Sequence, residues 1–263
     1  KTTIMKYINN QLILEEKSRF DNVCWVTISK AFNVRTLQIN IAEALNLNFW
    51  DDDDEIRLAS KLYAVLSREK YVLILDDLWE AFLLERVGIP EPTRSNGCKI
   101  VLTTRSMDVC RRMGCTTVKV GLLKEQEALT LFLGKAVRNH MVLAPEVEVS
   151  VAEIAKECAR LPLAIVIVAG SLRGLKGTRE WRNALNELIS SKEVSNGESE
   201  VFEQLKFSYS RLGNKLLQDC FLYCSLYPED RDIPVEDLIE YWIAEGLIGG
   251  MNSVEAKITR VTL

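Results

Sequence analysis

The sequence predicts an α/β fold, a parallel sheet with helices on both faces, followed by helical modules. Three observations carry this. Tyr71 to Leu75 is a continuous apolar run, too short for a typical helix and too apolar for a half-exposed strand. It fits a strand buried on both faces, as parallel sheets require. Strand-like and helix-like segments alternate before Leu122, the pattern of a doubly wound domain. After Leu122 no convincing strand appears for about 100 residues, and helical periods follow one another.

Taken in order, Lys1-Thr2-Thr3 opens a helical pattern with Ile4, Ile8 and Leu12 on one face. Val23 to Ile28 reads as a strand, and Thr36 to Leu45 as a helix with Leu37, Ile41, Ala44 and Leu45 apolar. Asp51 to Asp54 precede Ile56, Leu58, Ala59, Leu62, Tyr63 and Leu66 at helical spacing. The acid run is read as the cap of that helix, complementing its dipole, in preference to a cation site. The Tyr71 strand follows, then a loop at Ile89-Pro90-Glu91-Pro92 and a turn at Asn96-Gly97. Lys99 to Thr103 is a further strand, and Thr117 to Val120 a last short one. Helices are then expected at Glu125 to Arg138, Val149 to Ala159, Leu163 to Gly174, Thr178 to Ser190, Val201 to Tyr209, Lys215 to Leu226 and Val235 to Glu245. Pro162 starts the third of these, where a missing amide costs nothing. Ser195 to Ser199 is a polar break suited to a linker.

At 263 residues, one to three domains are plausible, and 48% hydrophobic with 27% charged residues excludes a disordered chain. A net charge of −4 gives no support for nucleic acid or anionic lipid as a partner. Leu161 to Ala169, the most apolar stretch, is less than half a membrane span, so no span is expected. No signal peptide is visible. There are seven cysteines, no Cys-x-x-Cys and a single histidine, His140, which leaves few ligands for a zinc site. Cys220 and Cys224 fit a buried thiol pair better than a metal site. A reduced cytoplasmic compartment is expected. Trp25 and Trp242 read as core residues, and His140 as a surface residue in a polar connection.

The chemistry sits at the end of the Tyr71 strand, which stops on Asp76 and Asp77. Ligands of open α/β sheets bind at the carboxyl ends of the strands. Two acids there can hold a hydrated Mg²⁺ and orient a water; the alternative is a strand that merely enters an acidic turn. Lys1-Thr2-Thr3 is similar to the tail of a P-loop, where the lysine reaches phosphates, the hydroxyl binds Mg²⁺ and the helix N-terminus faces the anion. The glycines of such a loop are not in this sequence, so the chain is expected to be a fragment that begins at the P-loop lysine, with the first strand missing.

With these motifs in register, the sequence resembles the NB-ARC region of plant NBS-LRR disease-resistance proteins of the coiled-coil subclass. Phe20 to Ser29, with Trp25-Val26, resembles the first motif after the P-loop. Leu73 to Trp79 resembles Walker B or kinase 2, and Trp79 is the form typical of that subclass. Gly97 to Arg105 resembles the sensor strand, and Cys158 to Ala164 the GLPL motif with Arg160 in place of its glycine. Cys220 to Asp230 and Leu238 to Leu247 resemble the late motif of the second helical subdomain.

The resemblance implies a P-loop NTPase sheet over residues 1–121, a helical subdomain over 122–197 and an incomplete winged-helix-like subdomain over 198–263. It implies an ADP/ATP switch of an intracellular immune receptor, acting in defence against pathogens and at most a slow ATPase. Lys1, Thr2, Thr3, Arg105 and Pro162 would bind the nucleotide, Thr2 and Asp76 would hold Mg²⁺, and Asp77 would orient the hydrolytic water. Arg105 would read the γ-phosphate; its plainer alternative is a surface salt bridge. The implied partners are an adenine nucleotide, the receptor's own coiled coil and leucine-rich repeats, and a second copy in the active state. A conventional ATPase or kinase would need an acceptor pocket that the sequence does not supply. A DNA-binding winged helix is disfavoured, because Pro228 to Glu245 carries seven acids and only Arg231 as a base.

Overall fold

The computed structural model describes residues 1–15, 20–28, 30, 33–47, 54–93, 95–137, 144–193, 200–228 and 232–248. His140, Asp51 to Asp53 and the Ser195 to Ser199 break lie outside them. The chain divides into two units, Lys1–Val120 and Gly121–Leu263.

In the first unit β1 (Asn22–Thr27), β2 (Tyr71–Asp76) and β3 (Lys99–Leu102) form a parallel sheet with β2 in the middle. Asn22 pairs with Tyr71 and Thr27 with Asp76, so β1 and β2 run level to their ends. All six residues of β2 are buried. Alternation divides them between two cores. Tyr71, Leu73 and Leu75 join Cys24 and Val26 of β1 under α2 (Val34–Ala44) and α3 (Glu55–Leu66). Val72 and Ile74 face the other way, onto Met5 and Leu12 of α1 (Thr2–Glu15), with Val23, Trp25 and Val101 around them. The apolar run is therefore continuous because both faces need it.

Helix caps follow the sequence. Asn33 accepts from the Thr36 amide and Asp54 from the Arg57 amide, each at 2.8 Å. Gln38 is fully buried, and its amide donates to the carbonyl of Glu55 at 2.9 Å and more loosely to those of Arg86 and Val87. It ties α2 to α3 and to the short α4 (Leu84–Val87). Gly88 ends α4 at φ 89°, with the backbone of Ala59 so close that an added Cβ would fall 2.1 Å from its carbonyl oxygen. Burial pushes the Cys24 thiol up to about 11, with the Glu69 carboxylate adding to it.

Three segments depart from expectation. Thr117 to Val120 is not a strand: it has no ladder partner among the described residues, and Val118 and Val120 are exposed. Alternation alone does not make a strand without a neighbour to pair with. Conversely, α4 and α5 (Met107–Arg112) are too short to give a helical period, although Ser106 caps α5 by accepting from Val109.

The second unit is helical throughout its described residues: α6 (Glu125–Ala136), α7 (Pro145–Glu157), α8 (Pro162–Ser171), α9 (Thr178–Glu193), α10 (Glu200–Ser210), α11 (Lys215–Tyr223) with a 3-10 turn to Leu226, and α12 (Val235–Ala244). One core joins Phe132, Ile154, Ile165, Val168, Trp181 and Leu188, and Phe207 brings α10 into it. Ile165 and Val168 lie on the helix expected from Leu163, which starts one residue earlier at Pro162. A smaller cluster joins Cys220 to Ile239 and Trp242, whose indole N–H donates to the Cys220 carbonyl at 3.1 Å. Trp25 packs at the edge of the α1 core and donates to the Thr27 hydroxyl at 3.0 Å.

Candidate functional site

Because the strands are parallel, their carboxyl ends share one edge. Four of the residues singled out from sequence lie there: Lys1, Asp76, Asp77 and Arg105. Asp76 closes β2 and is 2% exposed. Its carboxylate is held by Thr103, whose hydroxyl donates to Oδ1 at 2.7 Å. The same hydroxyl accepts from the Asp77 amide at 3.0 Å. Two backbone bonds complete the clamp, Thr103 N–H to the Leu75 carbonyl at 3.0 Å and Leu78 N–H to the Thr103 carbonyl at 2.8 Å. Thr103 thus locks the acidic turn to the end of β3. In the sequence Thr103 reads only as a strand residue, although a hydroxyl at the end of a strand beside an acidic edge is the available signal.

Asp77 has φ 58°, a left-handed conformation that an aspartate tolerates better than most residues. That turn ends the strand abruptly and gives the two neighbouring carboxylates different surroundings. Asp77 is partly exposed and pairs with Arg105, Nε to Oδ1 at 3.4 Å and Nη2 to Oδ2 at 3.5 Å. Trp79 also reaches it, Nε1 donating to Oδ2 at 3.1 Å. The Arg105 guanidinium lies 5.0 Å from the Trp79 ring centre, and Lys30 Nζ 5.4 Å from it. Local sequence points to neither Lys30 nor the contacts of Trp79, because a cation–π contact across three loops leaves no mark on it.

Lys1 donates from Nζ to the carbonyl of Thr104, which brings it to the end of β3. Thr2 and Thr3 occupy the exposed first turn of α1. Oriented amides and a positive dipole end make such a turn receptive to anions. Pro162 opens α8 in the second unit, apart from this group in the chain. Just before it, Ala159 and Arg160 both take left-handed backbone, φ 51° and 59°. This is how the connection turns without the glycine that Arg160 replaces. The turn is held by Leu161 N–H to the Cys158 carbonyl at 3.0 Å and by Leu123 N–H to the Arg160 carbonyl at 3.2 Å.

A parallel sheet covered on both faces, with paired acids, a lysine and an arginine at its carboxyl edge, defines a nucleotide-binding α/β domain of the P-loop class. The chain belongs to the NB-ARC family: the NB-ARC domain profile matches residues 1–142. Among similar proteins of Arabidopsis thaliana, disease resistance protein RPS5 is 39% identical over 99% of the chain and 30% of its own length. Disease resistance protein SUMM2 is 39% identical over 99% of the chain and 29% of its own length. Disease resistance protein UNI is 38% identical over 95% of the chain and 28% of its own length. The chain thus spans under a third of the length of these relatives. Among the described residues no helix is long and apolar enough to cross a membrane.

Proposed function

We propose that this chain is the nucleotide-dependent switch of a plant immune receptor, cycling between ADP and ATP in the defence response to pathogens. The observation that carries the reading is the convergence of Asp76, Asp77, Lys1 and Arg105 on one sheet edge, in a family whose relatives bear the name disease resistance protein. Lys1 would neutralise the phosphates, and Thr2 and Thr3 would underlie them at the start of α1. Arg105 would read the terminal phosphate, and Pro162 would contact the adenine. Other domains of the same receptor would respond, and active receptors would associate with one another.

Mg²⁺ suits the residues present. Asp76 is a buried carboxylate that accepts from Thr103, and Thr2 offers a hydroxyl: hard oxygen donors of the kind Mg²⁺ takes while keeping several waters. Asp76 and Thr2 would hold it, and it would supply charge neutralisation between the phosphate groups. The division of labour between the acids follows from their settings. Asp76 is fixed for binding, whereas Asp77, partly exposed, would orient water. Any hydrolysis resets a state and runs far below a typical enzyme's ~10 s⁻¹.

A ligand shifts such an equilibrium only by its differential affinity for two states. Arg105 supports that requirement, because it rests on Asp77 and must leave it to meet a phosphate. The test is affinity for ADP and for a non-hydrolysable ATP analogue in the complete protein with Mg²⁺. Arg105→Ala is expected to weaken the analogue by about 1.5–3 kcal/mol, the value of a hydrogen bond to a charged group, and ADP much less. Equal losses for both would make Arg105 a structural arginine and remove the reading of a phosphate sensor.

A further inference from the structure

Trp79 is one side chain touching three charges from three loops. Its N–H serves Asp77 after β2, and its ring meets Arg105 after β3 and Lys30 after β1. We propose that Trp79 is a positioning residue of the phosphate edge, holding Asp77 and Arg105 as a single unit that an arriving terminal phosphate must open. This rests on the nucleotide-switch reading above.

The chemistry requires an indole. Its nitrogen is a donor only and suits a carboxylate, while its face attracts cations. Phenylalanine keeps the face and loses the donor; leucine loses both. The Arg105 side chain is 71% exposed, and an exposed pair with Asp77 alone would hold it weakly. The ring gives the guanidinium a second contact and so a defined resting place. A terminal phosphate competes with Asp77 for the guanidinium. Once Arg105 moves, Asp77 keeps its bond from the indole N–H and stays oriented toward the water it aligns. A diphosphate, lacking that terminal group, leaves the ion pair closed. Trp79 therefore sets how much a terminal phosphate must overcome to engage Arg105, without touching the nucleotide.

The test uses the complete protein and three measurements: stability, nucleotide affinity and turnover. The first needs no nucleotide. A double-mutant cycle of Trp79→Leu and Arg105→Ala on the unfolding constant is expected to show coupling of about two- to fivefold, the size of an exposed cation–π contact. Strict additivity overturns the proposal. The second compares affinities for ADP and a non-hydrolysable ATP analogue with Mg²⁺. Trp79→Leu is expected to raise the preference for the analogue by about two- to fivefold, because the terminal phosphate no longer has to break the ring contact, whereas Arg105→Ala lowers it. Trp79→Phe should keep that preference within about twofold while slowing turnover about tenfold, having lost one hydrogen bond to a charged group. An unchanged or lowered preference in Trp79→Leu, where Arg105→Ala lowers it, overturns the proposal and leaves the switch intact. If the unaltered protein binds neither nucleotide, the switch reading fails, and the phosphate half of this proposal with it.

Discussion

Asp76 and Asp77 are adjacent in the chain and opposite in setting. One is buried and clamped by Thr103; the other sits on left-handed backbone between an arginine and an indole. Their substitutions should separate. Asp76→Ala is expected to weaken Mg²⁺-nucleotide binding, whereas Asp77→Ala should spare binding and slow turnover. Bound nucleotide and phosphate release measured on both variants check this, and equal loss of binding would defeat the division. Away from the edge, Gly88 is the described glycine least able to take a side chain. A Cβ there meets the α3 backbone and also needs φ 89°. Gly88→Ala should cost on the order of 3 kcal/mol, read by urea denaturation. Cys24 gives a pH signature. Its folded pKa is raised from 9.0 to about 11, so the folded state holds the proton longer than the unfolded chain. Its contribution is complete below pH 9 and is lost as pH rises toward 11. Cys24→Ala should flatten the alkaline fall in stability across that window.

Among the elements, β2 was the most legible, because burial on both faces forces an uninterrupted apolar run. The long helices were legible through their periodicity, and Asp54 through its place before one of them. Thr117 to Val120 reads as a strand and is not one, because pairing depends on a neighbour that a four-residue pattern cannot reveal. The turn between α7 and α8 shows a different limit. Arg160 gave notice that the connection lacked a glycine, but not that Ala159 would share the left-handed path. Left-handed backbone costs an ordinary residue roughly 1–2 kcal/mol, partly offset by the greater unfolded-state freedom of glycine. Arg160→Gly should therefore stabilise the second unit by about 0.5–1 kcal/mol. Thermal unfolding followed by circular dichroism checks this; a loss of stability would mean that the Arg160 side chain contributes more than its backbone costs.

At the scale of the molecule, the acids, the lysine and the arginine were each legible, since each ends or begins a patterned segment. Their linkage through Thr103, Trp79 and Lys30 was not, because it is made between strand ends far apart in the chain. If the switch reading holds, Asp77→Ala in the complete protein should accumulate bound ATP over ADP, measurable in nucleotide extracted from the purified protein. The central place of β2 has a further consequence, during biosynthesis. A nascent chain emerges at roughly 5–20 residues per second, and β2 leaves the ribosome well before β3 can cover its second edge. For that interval Tyr71 to Leu75 is an apolar, β-prone segment with an open edge, the kind of sequence that holdase chaperones capture and that aggregates when they do not. Lys70 on one side and Asp76-Asp77 on the other act as charged gatekeepers of that segment. The carboxylates that would serve the nucleotide thus also guard the strand before any nucleotide can bind, and a peptide spanning residues 70–77 should stay soluble where its Asp76→Ala, Asp77→Ala counterpart forms fibrils.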